Sequence, residues 1–459
     1  MSRTVATLPA GSRITDYISL GVVAKTFPLD KIHTALAATG KESVRQRDLP
    51  AHVVIYYVIA LALYMQSSYR EVLRCLLEGI QWLMEPAARI HVAGNSGISQ
   101  ARTRLGWEPL QQLHDAVVKP MAVAATKGAW YREWRLVSLD GSTLDVADEQ
   151  GNEEAFGRPG ASRGQSAYPQ IRFVSLVENG THVLFGSRMA DYATSEIALA
   201  KIVLPHLGQG MLCLADRNFF GFAMWKQAAA TGADLLWRVK KNIRLPCEKR
   251  LPDGSYRSRI YPSQQDQRRG RNGIVVRVIE YRLEGVEGAE PLYRLVTTIP
   301  DPEAAPAAEL AALYPERGEI ETAFDEFKTH LRGARIVLRS KTPDLVRQEF
   351  YGLLLAHFAV RGLMHEAALS ADEDPDRISF LHAVRVVRRK MAAFGAIPPS
   401  GPEQVPSGGA GGNPRRAGAS RHHRRNQRGV KRKMSNFPLR RGYKRSPLID
   451  ICAAIRIVK

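Results

Sequence analysis

The chain has 459 residues, 45% of them hydrophobic and 24% charged, a composition typical of globular proteins and a length sufficient for roughly two to four domains. Its formal net charge of +20 favours a polyanionic partner such as nucleic acid, because a positive field concentrates phosphate chains around the protein. Residues 401–459 carry fifteen Lys and Arg against two acids, a net charge of +13, which leaves only +7 for the rest of the chain.

Several classes of protein are disfavoured by the motifs that the sequence lacks. The four cysteines lie far apart, without a CxxC pair or a His/Cys cluster, which argues against a disulfide framework or a zinc site and fits a reducing cytoplasm. The longest apolar runs, residues 53–65 and 351–364, are too short to span a bilayer, and the second is interrupted by His357 and Arg361. No P-loop pattern is present, so we expect no nucleotide cofactor, and the short apolar runs indicate no membrane partner.

Residues 1–130 are predicted to be helical, because apolar residues recur at spacings of three and four and no strand-like alternation appears. Within this part, SGISQARTRLGWEPLQQLHDAV predicts a short polar helix, a turn and a second, amphipathic helix. Such a helix pair could place Arg102 and Arg104 against DNA. A surface helix with two solvated arginines explains the same letters equally well, so both interpretations stay open.

The pattern changes at Trp134. RLVSLDGSTLDVA, PQIRFVSLVE and THVLFGSRMADY predict three strands, after which helix, strand, helix and strand follow as far as LLWRVKK, and this succession indicates an α/β fold with a mixed sheet. Alternation around Gly-rich turns then predicts an antiparallel β insertion, and a tail rich in Pro, Gly and basic residues is expected to be disordered. The predicted divisions are residues 1–130 (helical), 131–240 with 301–345 (α/β core), 241–300 (β insertion), 346–398 (C-terminal helices) and 399–459 (basic tail).

The segment LYPERGEIETAFDEFKTHL, residues 313–331, is predicted to be one helix with a polar sector beside its apolar stripe. At about 100° per residue, this sector is only about 60° wide. It contains Tyr314, Arg317, Glu321 and Lys328. An acid flanked by two bases suits a site that grips metal-bound phosphate, although an ordinary ladder of ion pairs has the same spacing.

The other acids of this segment were assigned from the same helical geometry. Asp325 lies close enough to the polar sector to rival Glu321 as a functional acid. Glu316, Glu319 and Glu326 point well round toward solvent, where we expect ordinary exposed charges.

Two further acids each follow an apolar strand. Asp140 in LVSLDGSTLDV precedes Gly141, which lets backbone or ligand approach closely, and Asp216 ends the strand of MLCLADRNFFG. Taken singly, each residue is usually a turn former or a helix cap. In open α/β sheets, however, ligands bind at the carboxyl ends of strands, so both acids can point into one pocket. Three carboxylates converging there can hold two divalent cations, and hard oxygen ligands select Mg²⁺ or Mn²⁺.

The spacing Y-x2-R-x3-E-x6-K, together with LDGST and LADRNFFG, resembles that of the DDE transposases of the insertion-sequence-four family. The resemblance covers residues from about 15 to 440 and implies a ribonuclease-H-like catalytic core with a β insertion, preceded by an all-helical domain that binds DNA ends and followed by C-terminal helices. It implies that Asp140, Asp216 and Glu321 are the catalytic, metal-binding triad, which favours Glu321 over Asp325. It also implies that Tyr314, Arg317 and Lys328 grip the phosphates of the transposon end.

The same resemblance implies cut-and-paste transposition by a bacterial, nucleoid-associated protein. Water attack frees a 3′-hydroxyl, that hydroxyl attacks the opposite strand to give a hairpin, and the reopened end joins target DNA, with two Mg²⁺ ions at one site and Mn²⁺ as a substitute. Tyr293 would stack a flipped base, although cross-strand packing is the commoner role of a strand tyrosine, and Trp237 is a second candidate.

The partners implied are double-stranded DNA, as transposon-end inverted repeats and as target, and a second copy of the chain in a synaptic homodimer. Two alternatives stay open at this point. One is a transposase-derived DNA-binding protein that no longer cuts, and the other is a ribonuclease-H-like nuclease that cuts without strand transfer.

Overall fold

The computed structural model describes residues 19–43, 49–84, 93–160, 168–286, 289–333, 336–385, 387 and 451–458. The chain forms two compact units. The first contains Met1–Cys213, Ala230–Ala233 and Arg317–Ala417, and the second contains Leu214–Ala229, Asp234–Glu316 and Gly418–Lys459. The domain boundaries predicted from the sequence stay predictions.

Helices account for the described part of the first unit as far as Val117. The helices of this unit are α1 (Ser19–Thr26), α2 (Leu29–Ala38), α3 (Ala51–Leu63), α4 (Tyr69–Met84), α5 (Asn95–Leu105), α6 (Glu108–Val117), α7 (Gln150–Phe156), α8 (Glu196–Val203), α12 (Glu319–Asp325) and α13 (Pro343–Ser370). The apolar run of residues 53–65 falls mainly in α3, which is buried from Val53 to Leu63 and packs against α13. A helix with apolar residues on every side is expected to be buried inside the protein, and α3 is.

Gly352 allows α13 to approach α3 closely. A Cβ atom at this position would lie 2.7 Å from Cγ1 and 3.0 Å from the carbonyl oxygen of Val58. We expect Gly352→Ala to lower the free energy of unfolding by about 1–3 kcal/mol, because the added methyl group must push two helix backbones apart. Urea unfolding followed by circular dichroism measures this change.

Gly362, ten residues further along α13, provides the matched control. A Cβ atom added at Gly362 would have Cε of Met121 as its nearest neighbour, at an ordinary contact distance of 3.9 Å. Gly362→Ala should therefore stabilise the protein by up to about 1 kcal/mol through helix propensity alone. Equal effects of the two substitutions would contradict this account of the interface between α3 and α13.

The sheet of the first unit follows the predicted order of strands. It consists of β1 (Trp130–Tyr131), β2 (Trp134–Asp145), β3 (Gln170–Glu178) and β4 (Val183–Asp191), paired antiparallel in the order β1-β2-β3-β4. Asp140 on β2 lies opposite Ser175 on β3. The short helix α7, between β2 and β3, was not predicted.

Phe173 on β3 is the centre of the aromatic core of this unit. Its ring centroid lies 5.2 Å from that of Phe324, 5.8 Å from Phe327 and 5.4 Å from Phe350. Phe324 and Phe327 belong to the apolar stripe predicted for residues 313–331, and the whole stripe is buried. This packing fixes the acid-bearing segment, residues 313–331, against the sheet of β2 and β3, with α13 on its other side.

The second unit is built on antiparallel strands. Its elements are the end of β5 (Met211–Ala215), which starts in the first unit, α9 (Phe222–Ala229), β6 (Asp234–Arg238), β7 (Lys249–Arg250), β8 (Tyr256–Ile260), α10 (Gln264–Arg269), β9 (Ile274–Leu283), β10 (Tyr293–Thr297), α11 (Ala307–Leu313), α14 (Ile451–Ala454) and β11 (Ile455–Ile457). The strands pair in the order β6-β10-β9-β8-β7. The helix–strand–helix–strand succession predicted to follow β4 is confirmed by α8, β5, α9 and β6.

The basic tail is only partly as predicted. Its last described residues form α14 and then β11, and β11 pairs antiparallel with β9. This ordered stretch lies within a tail that the sequence predicts to be largely disordered, and it forms because ICAAIRI supplies apolar residues that a sheet edge can bury. Residues 388–450 lie outside the described residues.

Among the residues that the structure describes, no helix combines the length and the apolarity needed to cross a membrane.

Candidate active site

One face of β2 presents two side chains to the acid-bearing segment. Asp140 and Ser142 are two residues apart and therefore point to the same side of the strand. The Asp140 carboxylate accepts the backbone N–H of Gly141 at 2.8 Å and is partly exposed. Gly141 points the other way, where a Cβ atom would lie 2.9 Å from Cγ of Glu196 on α8. Glycine is needed here because α8 packs closely on the far face of the sheet.

The acid-bearing segment is not one regular helix. It begins as a 3₁₀ turn, Tyr314–Gly318, continues as α12 and ends in a π-helical turn, Glu326–Leu331. A 3₁₀ turn advances about 120° per residue, so the four steps to Gly318 add about 80° to the angle calculated for a regular helix. Gly318, a residue of low helix propensity, lies where the winding changes.

The structure overturns the exposed positions predicted for two acids. Glu319 and Glu326 were placed toward solvent, but their side chains are 7% and 3% exposed. Their burial comes from tertiary contacts, because the turn before β4 covers Glu319 and α13 covers Glu326. Glu319 accepts the backbone N–H of Gly180 at 2.6 Å, and Glu326 forms an ion pair with Arg361 at 3.1 Å.

Arg317 connects two of the three predicted triad residues. Its Nη1 donates to Oδ2 of Asp140 at 3.2 Å, and its Nη2 lies 3.5 Å from Oε1 of Glu321. One guanidinium group can reach two carboxylates only if these lie close together. The structure thus brings Asp140 and Glu321 to one place, with the Glu321 side chain 47% exposed.

Lys328 lies on the same face of β2 as Arg317, next to Ser142, which is two residues after Asp140. Its ammonium group donates to the hydroxyl of Ser142 at 2.9 Å, so Ser142 holds the predicted phosphate-binding lysine beside β2. Asp325, the rival acid, is mostly exposed and lies 3.4 Å from Nε2 of His330. Glu321 and Asp140 both contact the Arg317 guanidinium, whereas the pairing described for Asp325 is with the nearby His330 of the same segment.

Asp216 and Tyr314 belong to the second unit. Asp216 follows β5, and its carboxylate caps a turn by accepting the backbone N–H of Asn218 at 2.6 Å. The hydroxyl of Tyr314 donates to the carbonyl of Ala215, the residue before Asp216, at 3.2 Å. Tyr314 is buried, so its described contact fixes the end of the strand that carries Asp216.

The two aromatic candidates for base stacking differ in exposure. Trp237 is fully buried and packs edge-on against Trp225. Tyr293 is partly exposed, stacks on Tyr281 with centroids 5.1 Å apart, and has the guanidinium of Arg238 at 4.9 Å from its ring centroid. The cross-strand packing that the sequence left open is therefore present at Tyr293.

A cavity of about 180 Å³ beside Tyr293 is rich in bases. Glu290 lines it and lies 2.8 Å from Arg238, with Arg217 and Lys241 within 3.6 Å. Burial raises the pKa of Glu290, but the hydrogen bond from Arg238 and the charges of the three bases outweigh burial and bring this pKa below its ordinary value. The carboxylate is thus ionised and offsets one of the positive charges around the cavity.

Of the two arginines predicted to contact DNA, only Arg104 lies at the surface. Arg102 is 2% exposed, and its guanidinium donates to Oε1 of Gln348 at 2.7 Å and to Oγ of Ser340 at 3.1 Å. The prediction that Arg102 contacts DNA or solvent is corrected. It faces inward from α5 and its hydrogen bonds attach α5 to α13 and the preceding loop.

Sequence reasoning missed a set of buried polar side chains behind the acid-bearing segment, which we call the buried polar cluster. Its members are His182, Glu319, Glu326, His357, Arg361 and Asp376. One signal could have indicated it, because His357 and Arg361 interrupt an otherwise apolar run and are four residues apart on one helix face. Buried charges require partners, and Arg361 has Glu326 and Asp376 beside it.

Comparison with protein-family models gives two matches. A model described as the insertion element 4 transposase N-terminal domain matches residues 17–115, and a model described as the transposase DDE domain matches residues 133–359. The first match covers helices α1 to α6 almost entirely. The second begins just before β2 and ends within α13, so it includes Asp140, Asp216 and Glu321.

Two curated relatives and one solved structure are also similar. The chain is 26% identical over 379 residues to transposase InsG for insertion sequence element IS4 of Escherichia coli (strain K12), covering 81% of this chain and 83% of the relative. It is 26% identical over 229 residues to the putative transposase InsZ of the same strain, covering 49% and 73%. A piggyBac transposase in a synaptic complex with hairpin DNA, solved by cryo-electron microscopy, is 11% identical with a TM-score of 0.44, covering 83% of this chain and 81% of that one.

Proposed function

Because the chain belongs to the insertion-sequence-four family of DDE transposases, we propose that Asp140, Asp216 and Glu321 form the triad that carries its chemistry. The protein is a bacterial insertion-sequence transposase, a metal-dependent enzyme that cuts and transfers DNA. The observation that carries the assignment is the shared guanidinium of Arg317. It contacts Asp140 and Glu321, two acids that are far apart in the sequence.

The donor set of these residues fits a divalent metal. Asp140 and Glu321 offer hard carboxylate oxygens that both contact the Arg317 guanidinium, and both side chains are partly exposed. In our proposal Asp216 completes the set, and the ions held are two Mg²⁺, with Mn²⁺ as a substitute. Bound ions of this kind activate the attacking oxygen and stabilise the leaving oxygen in phosphoryl transfer.

The protein side chains hold and neutralise charge around the scissile phosphate. Arg317 lies between two carboxylates, where it can turn to a phosphate oxygen when DNA enters, and Lys328 presents an ammonium group from beside Ser142. Tyr314 donates a hydrogen bond to Ala215 and so holds the end of β5, the strand that precedes Asp216. These groups position the DNA and offset its charge, which is most of what a phosphoryl-transfer enzyme contributes.

The wider assignment follows the family. The core has a ribonuclease-H-like arrangement of the mixed sheet, the chain binds transposon-end repeats and target DNA as a homodimer, and it acts in the cytoplasm on the nucleoid. Arg104, Tyr293 and the basic tail are the proposed additional DNA contacts. Cleavage proceeds through hairpin ends, for which a base must leave the stack at the strained duplex end.

Incubation of the full chain with a duplex that carries the terminal inverted repeat of its own element, a supercoiled target plasmid and Mg²⁺ tests this function. We expect repeat-dependent nicking, a hairpin intermediate and joined plasmid product. Nicked duplex without hairpin or joined product would instead identify a nuclease. A repeat-specific mobility shift without any cleavage would identify a DNA-binding protein that no longer cuts.

A further inference from the structure

A second group of potential metal ligands lies inside the first unit, within the buried polar cluster. Nε2 of His182 and carboxylate oxygens of Glu319 and Asp376 all lie within 4.8 Å of one another. His182 Nε2 is 2.9 Å from Oδ1 of Asp376 and 3.8 Å from Oε2 of Glu319. All three residues are buried, unlike the triad acids Asp140 and Glu321.

The tautomer of His182 is fixed by Glu326. Nδ1 of His182 lies 3.3 Å from both carboxylate oxygens of Glu326, which is itself paired with Arg361 and therefore ionised. An ionised carboxylate only accepts hydrogen bonds, so Nδ1 carries the proton. The lone pair of a neutral imidazole then lies on Nε2, as in histidines that bind metal while a carboxylate orients the opposite nitrogen.

Nε2 is aimed at the two remaining carboxylates without a hydrogen bond to either. His182 is 1% exposed, and none of the residues that the structure describes makes a well-directed hydrogen bond to its Nε2. A lone pair 2.9 Å from an anionic oxygen is repulsive unless positive charge lies nearby. The backbone N–H of Gly180 orients the Glu319 carboxylate. The three potential metal ligands come from three separate elements.

The charges of the cluster also leave room for a dication. The cluster contains the three carboxylates of Glu319, Glu326 and Asp376 and the single guanidinium of Arg361, a formal net charge of −2 apart from the imidazoles. Arg361 lies 3.1 Å from Glu326 and only 3.8 Å from Asp376, so its main partner is the glutamate. Buried negative charge of this size is costly without a compensating cation.

We propose that His182, Glu319 and Asp376 bind one Zn²⁺ ion, separate from the catalytic ions. A mixed set of imidazole and carboxylate donors suits Zn²⁺, whereas Mg²⁺ prefers oxygen ligands and keeps several waters. The ion connects the turn between β3 and β4, the first turn of α12 and the 3₁₀ turn Pro375–Arg377. Since Glu319 is two residues before Glu321, the site secures the segment that carries the catalytic glutamate.

The left-handed backbone of His182 agrees with an imposed position. Its φ is +57°, a conformation that is uncommon for a residue with a side chain. This conformation is maintained against its strain by the contacts of the imidazole within the cluster. It also identifies asparagine as the replacement best able to keep the backbone, because asparagine tolerates this conformation and lacks the imidazole.

The test uses tag-free full chain with Asp140→Asn, Asp216→Asn and Glu321→Gln, which removes the catalytic ligands. After loading with Zn²⁺ and gel filtration, metal content is measured by plasma mass spectrometry, and melting temperature is recorded with and without EDTA. We expect the parent to hold one equivalent of Zn²⁺ more than the same protein carrying His182→Asn or Asp376→Asn. EDTA should lower the melting temperature of the parent by several degrees and leave both variants unchanged.

Zn²⁺ bound elsewhere, for example by Cys247 or by the histidines of the tail, is present in all the variants and cancels in the difference. Equal Zn²⁺ content in the parent and in a folded Asp376→Asn variant overturns the proposal. So does a parent without bound Zn²⁺ whose stability falls as the pH rises through the histidine range, which would assign a proton on His182 to the role of the cation. A Mg²⁺-loaded parent should show no EDTA-dependent shift.

Discussion

Donor cleavage is expected to fall by at least about 10³-fold when Asp140 or Asp216 is replaced by Asn, or Glu321 by Gln. Each change removes one anionic oxygen from the proposed metal set while keeping nearly the same side-chain volume. Because the three residues act as a unit, the triple variant should be no slower than the slowest single variant. The measurement is the single-turnover rate of nicking on terminal-repeat duplex, with binding followed by mobility shift.

Asp325→Asn is the matched control for the glutamate. Asp325 lies four residues after Glu321, is also exposed and was the rival acid in the sequence, but its described pairing is with His330. We expect its nicking rate to stay within about twofold of the parent, in keeping with a surface substitution. If Asp325→Asn abolished nicking and Glu321→Gln did not, the assignment of the third acid would be reversed.

Glu326→Ala is expected to lower the free energy of unfolding by about 3–5 kcal/mol. The substitution removes the carboxylate nearest to Arg361 and the acceptor of the His182 Nδ1 proton, and it leaves a buried guanidinium without its main partner. Urea unfolding of the parent and the variant measures the loss. The double variant Glu326→Leu with Arg361→Met should recover much of it, because an apolar pair replaces a broken ionic one.

Asp325→Ala is again the comparison, since it neutralises an acid next to Glu326 on the exposed side of the same segment. Its effect on stability should stay within about 0.5 kcal/mol. A Glu326→Ala variant as stable as Asp325→Ala would show that the buried polar cluster does not hold the segment.

Much of the fold could be predicted from the sequence because the spacing of hydrophobic residues is a property of each helix or strand by itself. The three strands around Asp140, the helices before residue 118 and the stripe through Phe324 and Phe327 all follow from spacing that a single element determines. Asp140 and Glu321 could also be selected, since an acid after an apolar run and a helix face are local features, although Asp140 lies within β2 and not at its end as predicted. Their meeting through Arg317 is a tertiary contact that no periodicity specifies.

The failures share a physical cause. A helical wheel places Glu319 and Glu326 opposite the apolar stripe, but it cannot show that the Gly180 backbone and Arg361 on distant parts of the chain cover that side. Arg102 was expected at the surface because arginine usually is, yet Gln348 and Ser340 on a distant part of the chain satisfy its donors. The short strand β11 was missed because it forms only by pairing with β9.

The most direct test of the central claim is a crystal structure of the full chain bound to a cleaved transposon end and Mn²⁺, with the ions located by anomalous scattering. The account predicts two Mn²⁺ sites about 3.5–4 Å apart, coordinated by carboxylate oxygens of Asp140, Asp216 and Glu321, with Arg317 turned to a DNA phosphate. Mn²⁺ sites that lack any one of these three carboxylates would contradict it.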